Sequence, residues 1–243
     1  MKINFPLLAL AVGAFAIGTT EFSPMGFLPE IANDLSVSIP QAGLLISAYA
    51  VGVMIGAPLM TLWLARFPKK TALILLMAIF TIGNVLATVA PDYMSLMGAR
   101  LITSLNHGAF FGLGSVVAAS VVPKDKQASA VAMMFMGLTI ANIGGVPLAT
   151  WLSQNTSWRM AFAAISILGI ITMLALWKAL PQDHDVVKPN VAKELRVLTR
   201  APVVLALLTT VMSAGAMFAL YTYIAPSLHV FMPVSYTHLT LPT

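Results

Sequence analysis

Between Phe5 and Leu228 the sequence is cut into seven long apolar segments, and nothing else in it restricts the possible folds as much. They run approximately over Phe5–Leu28, Gln41–Leu64, Thr71–Val89, Tyr93–Val122, Ala128–Leu152, Trp158–Leu180 and Pro202–Leu228. Each is long enough for an α-helix to cross about 30 Å of hydrocarbon. A helix satisfies its own backbone hydrogen bonds, which lipid cannot do for it. Only 9% of the 243 residues are charged, against roughly 25% in soluble domains. The fold class expected is therefore an all-α integral membrane protein. Lys2 followed by an apolar run resembles a secretion signal, but the run is too long for one and six more follow it, so an uncleaved first span is predicted.

Orientation follows from the basic residues. Lys2, then Arg66, Lys69 and Lys70, then Lys124 and Lys126, then Lys178, Lys188, Lys193, Arg196 and Arg200 all fall on one side of the predicted spans. The opposite loops carry Glu30, Asp34 and Asp92 without Lys or Arg, and Arg159 stands just inside the sixth segment. Positive charge marks the cytoplasmic side, which places the N-terminus inside. The same distribution argues against nucleic acid as a partner, because the basic groups sit in short loops rather than on one polar face. With no cysteine, disulfides and thiolate metal sites are excluded. No cofactor and no metal are expected.

Connections are short except for "PQDHDVVKPNVAKELRVLTR", residues 181–200. Short loops make successive helices antiparallel neighbours. The expected organisation is a six-helix bundle over 1–180, a cytoplasmic linker over 181–201 and a seventh span over 202–228. Residues 229–243, "HVFMPVSYTHLTLPT", carry no span and form a tail outside the family pattern: either a seven-helix protein ends in a short tail or, the preferred reading, the chain is truncated and its last ten or so residues are foreign. A six-helix unit followed by a linker suggests half of a transporter.

The stretch "GARLITSLNHGAFFG", residues 98–112, puts charge into the fourth segment. Arg100, Ser104, His107, Phe111 and Gly114 recur at spacings of three and four and share one helix face. Ionisable groups inside a membrane are costly and usually face a protein interior or a watery cavity. The alternative for Arg100 is a side chain snorkelling to the outer interface, about 10 Å away. Glu21 lies at a matching depth in the first segment, so an ion pair with Arg100 is expected, either coupled to proton movement or purely structural. His107 is a candidate proton relay or substrate ligand, with a packing histidine as the other reading. Asn106 and Asn142 complete the polar set expected to face a substrate cavity. In "GLTIANIGGVPLATW", residues 137–151, Gly137, Gly144 and Gly145 offer small surfaces for close helix packing. Pro147 removes a backbone donor and favours a kink. In "ARFPKK", residues 65–70, the charges of Arg66, Lys69 and Lys70 serve either topology alone or contacts to neighbouring helix ends.

The strings "TTEFSPMG", "ISAYAVGVMIGAPL", "RLITSLNHGAFFGLG" and "ANIGGVPLATWL" resemble the N-terminal half of major facilitator superfamily transporters, in particular bacterial efflux proteins of the arabinose-efflux-permease type. The resemblance covers residues 1 to about 228. It implies the six-helix N-terminal bundle of the major facilitator fold plus one helix of a missing C-terminal half. It also implies that Arg100 matches the superfamily's helix-four arginine, implicated in proton coupling, and that "GLTIANIGGVP" matches the helix-five antiport motif. The cytoplasmic signature is degraded, with Ala65 at its usual Asp and Thr61 and Pro68 at its usual glycines.

The function expected is proton-coupled efflux of a small molecule (sugar, nucleoside or drug-like) by alternating access, with protons, the lipid bilayer and the absent second half as partners. The alternatives on the same fold are a passive facilitator, an uptake carrier and a nonfunctional fragment. Enzymatic readings find no support: there is no HExxH or GxSxG, and the seventh segment lacks a lysine for a retinal Schiff base.

Overall fold

The computed structural model describes residues 4–181 and 199–231. The expected linker, apart from its ends, and the tail from 232 onward lie outside the described residues. The described chain forms α1 (Phe5–Gly26), α2 (Leu28–Asp34), α3 (Ile39–Leu64), α4 (Lys69–Thr88), α5 (Tyr93–Ser104) and α6 (His107–Ser120). These are followed by α7 (Gln127–Ile140), α8 (Val146–Asn155), α9 (Trp158–Ala179) and α10 (Ala201–Phe231). Among the described residues seven helical stretches are long and apolar enough to cross a membrane, with α5–α6 and α7–α8 each forming one stretch. They coincide with the seven segments of the sequence to within a few residues.

Helix starts are set by local side chains. Asn4 accepts from the backbone N–H of Leu7, Asp92 from that of Ser95 and Ser157 from that of Met160. Ser38 and Gln41 form a reciprocal capping box at the start of α3. Two spans are irregular. The fourth breaks at Leu105–Asn106, where the Leu105 N–H turns back to the Ile102 carbonyl and the Asn106 carbonyl accepts from Phe110. The fifth passes through a π-helical turn over Ala141–Gly145 before Pro147. Pro147 cannot donate to Ile143, and the Val146 N–H reaches back five residues to the Ala141 carbonyl. The backbone thus widens by one residue in the turn that precedes Pro147.

Lipid is as apolar as leucine, so the spans hold together by close packing rather than by hydrophobic burial. Gly137 brings α7 against the backbone of α1: a Cβ there would collide with the Ala11 carbonyl and stand 3.0 Å from the Phe15 nitrogen. Gly83 of α4 lies equally tight on α5, where a Cβ would meet the Thr103 nitrogen at 2.7 Å. Gly144 is different, because a Cβ there meets nothing within 4 Å; it is not part of the seam that Gly137 and Gly145 make with α1. Trp158, Phe162 and Phe27 stack edge to face at the end of the bundle where α1 finishes and α9 begins, at centroid distances of 5.9 and 6.0 Å. α10 lies against α1 and α3, its Phe218 stacked on Phe22 at 5.5 Å.

Candidate functional site

The centre of the bundle is organised by an absence. Pro24 lies inside α1 and has no N–H, so the carbonyl of Thr20 loses its helical donor. Arg100 of α5 fills that place, its Nη1 donating to the Thr20 carbonyl at 2.8 Å. The Thr20 hydroxyl meanwhile donates to Asn84 Oδ1 at 2.7 Å, and Asn84 Nδ2 donates to the Phe80 carbonyl. One residue of α1 thus ties the first, third and fourth spans together at one level.

Arg100 does not form the expected ion pair. Its guanidinium lies over the ring of Tyr49, 4.2 Å from the centroid, and is 1% exposed. Its Nε and Nη2 have no hydrogen-bond partner among the described residues. The snorkelling alternative fails as well, because the side chain is fully enclosed. Glu21 instead faces His107, with Oε2 at 3.9 Å from Nε2. The other ring nitrogen, Nδ1, shares a hydrogen bond of 3.1 Å with the Tyr49 hydroxyl. Tyr49 therefore connects the two halves of the site, stacking under Arg100 and orienting the imidazole toward Glu21. The correction has a physical reason: equal depth in two helices does not set the rotation of each about its own axis.

Tyr49 was not singled out in the sequence because a tyrosine in an apolar helix reads as packing. One signal was available, since Pro24 announces a free carbonyl at Thr20 that a buried donor must fill. Asn106 occupies the break in the fourth span, fully buried, and neither atom of its amide has a partner among the described residues. Asn142 donates to the Leu138 carbonyl of its own helix at 3.1 Å. Contrary to expectation, neither asparagine nor His107 lines the cavity beside α10. That cavity, about 480 Å³, is bounded by Glu21, Tyr49 and Ser47 on the bundle side and by Gly215, Phe218 and Tyr223 of α10. Among the described residues no three His, Asp or Glu side chains converge as a metal would require.

The basic residues of the loop between α3 and α4 make helix-end contacts. Arg66 Nε donates to the Trp63 carbonyl, and Lys70 Nζ donates to the Leu180 carbonyl at the end of α9, both at 2.8 Å. Lys69, the first residue of α4, is half-buried. At the opposite end lies a cluster that charge counting had not paired. Asp34 accepts from Arg159 at 2.5 Å and from the Trp158 indole at 3.0 Å, and Arg159 also donates to the Ala90 carbonyl. The hydrogen bond from Arg159 holds the Asp34 carboxyl below its ordinary range. Stability from this bridge is thus present above the ordinary carboxylate range and is lost as pH falls through the lowered value. Asp34→Asn should cost at most about 1 kcal/mol at neutral pH, because the pair is solvent-exposed. It should also flatten the acid limb of an unfolding curve measured against pH.

Comparison with known proteins places this geometry. The sequence profile of the Major Facilitator Superfamily matches residues 10–241. The chain is 67% identical over 240 residues to the inner membrane transport protein YdhP of Escherichia coli (strain K12), covering 99% of the chain and 60% of that protein. It is 32% identical over 225 residues to the chloramphenicol resistance protein of Streptomyces lividans, covering 91% of the chain and 57% of that protein. The chain thus spans about three fifths of the length of these relatives. A crystal structure of a bacterial homologue of the human lysosomal transporter Spinster, inward-facing and unoccupied, superposes with a TM-score of 0.78 at 19% identity. That match covers 97% of this chain and 57% of the other.

Proposed function

The chain belongs to the major facilitator superfamily, a family of transporters and not of enzymes, and from that premise we propose that it forms the N-terminal part of a proton-coupled efflux transporter. Residues 1–180 act as one rocking bundle, with the N-terminus cytoplasmic, and the seventh span opens the second bundle. The observation that supports proton coupling is the half-buried carboxylate–imidazole pair of Glu21 and His107, of which Glu21 lines the cavity beside α10. A proton held by this pair, on the carboxyl or on the imidazole, leaves the pair without net charge. Release of that proton exposes a negative charge at the cavity wall, so substrate and proton compete for one charge balance. Arg100, fixed by Thr20 and Tyr49, supplies a permanent positive charge beside the pair and tunes its affinity for the proton. The Gly137–Gly145 seam with α1 and the π-turn before Pro147 provide tight but remodelable packing for a bundle that rocks.

The substrate is a small molecule of sugar, nucleoside or drug-like size, and the resistance named for the Streptomyces relative makes chloramphenicol the first probe. In everted vesicles holding the full-length transporter and an imposed pH gradient, adding a transported probe should dissipate the gradient. Probe that equilibrates without proton movement would instead identify a passive facilitator.

A further inference from the structure

A further cavity lies at the start of α1 and shares no lining residue with the one that Glu21 borders. It is a groove of about 470 Å³ between the start of α1 and the end of α9. Phe5, Leu8 and Val12 form one wall; Ile171, Ala175 and Lys178 form the other. Apart from Lys178 these walls are apolar. Phe5 is 65% exposed and Leu8 50%, so the groove is open along its length to the surroundings of the bundle. It continues into the exposed stripe of Ile167, Ile171 and Leu174 on α9.

Lys70 and Lys178 stand near this end of α9, and they differ. Lys70 is engaged with the Leu180 carbonyl. Lys178 is exposed and has no hydrogen bond or ion pair among the described residues. It lies one residue from the end of α9, at the level where a span leaves the hydrocarbon, and its neighbour Trp177 is 60% exposed, as an interfacial aromatic would be. A long apolar slot that has, among the described residues lining it, one cation at its mouth is complementary to an amphiphile with an apolar chain and an anionic head. A water-soluble anion would gain nothing from the slot, and a neutral lipid nothing from the lysine. We propose that this groove holds one acyl chain of an anionic phospholipid whose phosphate group sits on Lys178. The inference uses the orientation proposed above, which puts this end in the leaflet where anionic lipids concentrate.

The test is native mass spectrometry of the 243-residue chain, released from detergent containing equal phosphatidylglycerol and phosphatidylcholine. One phosphatidylglycerol should be retained with a preference of about fivefold, the contribution expected of one interfacial lysine. Lys178→Gln should abolish the preference, and Ala175→Phe, which fills the groove, should remove the adduct. Lys126→Gln, exposed at the same end but away from the groove, should leave both unchanged. Should Ala175→Phe fail to assemble, the exposed Lys178→Gln variant decides alone. Equal retention by Lys178→Gln overturns the proposal and leaves the lysine a topology and helix-end charge. Equal loss in Lys126→Gln overturns it in favour of diffuse attraction. A Lys178 cross-link to Asp183 or Asp185 in protein lacking the lipid preference overturns it in favour of the following polar segment. The binding assay does not depend on leaflet, whereas labelling of a single cysteine at position 126 in intact cells reads orientation separately, because the chain has no cysteine of its own.

Discussion

Glu21→Gln in the full-length transporter should lower proton-linked transport by about 10²-fold, the lower range for loss of a positioned proton-transfer group. The substitution keeps the shape of the side chain, so the bundle should remain folded, and the expected loss is in coupling. Gradient dissipation by a transported probe measures it; wild-type coupling in the variant would remove Glu21 from the mechanism. The partner is identified by a double-mutant cycle. Glu21→Gln and His107→Gln should be non-additive, because their side chains are 3.9 Å apart. Exchanging Glu21 and Arg100 should give no recovery. A carboxylate at position 100 would face the Thr20 carbonyl that the guanidinium now satisfies, setting acceptor against acceptor. Tyr49→Phe keeps the ring under Arg100 and removes the hydroxyl that orients His107, so it should impair coupling less than Glu21→Gln.

Gly137→Ala should destabilise the bundle by about 3 kcal/mol, the upper range for an added methyl in a filled interior. The obstacle is the Ala11 carbonyl and the Phe15 nitrogen, which belong to the backbone of α1 and cannot rotate away. For a chain of this size the unfolding midpoint should fall by about 6–12 °C. Helix propensity alone predicts the reverse, since alanine favours a helix interior by about 1 kcal/mol over glycine. Gly144→Ala separates the two effects. With open space around it, that substitution should be neutral or stabilising by up to about 1 kcal/mol. Thermal melts of both variants in one detergent provide the comparison, and equal midpoints would mean that α1 and α7 do not meet at Gly137.

The spans were legible because lipid imposes a simple rule on each one separately: about twenty apolar residues, with the backbone bonded within the helix. The family strings reinforced that reading, and the profile match over residues 10–241 shows it. Arg100 was legible as an interior group because a guanidinium in hydrocarbon is too costly to be incidental. What it touches was not. Face sharing along one helix follows from the period of 3.6, whereas contact between helices depends on how each turns and where it bends. The helix-five glycines illustrate the same limit, since they share a motif and only some meet α1.

The amino-acid sequence by itself determined that this chain carries seven segments long and apolar enough to cross a membrane, which residues are costly there, and to which transporter family it belongs. These follow from the solvent and the pattern, one segment at a time. Only the tertiary structure decided that Glu21 faces His107 rather than Arg100 and that Tyr49 joins the two. Those choices rest on Pro24 freeing a carbonyl in α1 and on a break at Asn106 in the fourth span, each of which redirects side chains that are far apart in the chain.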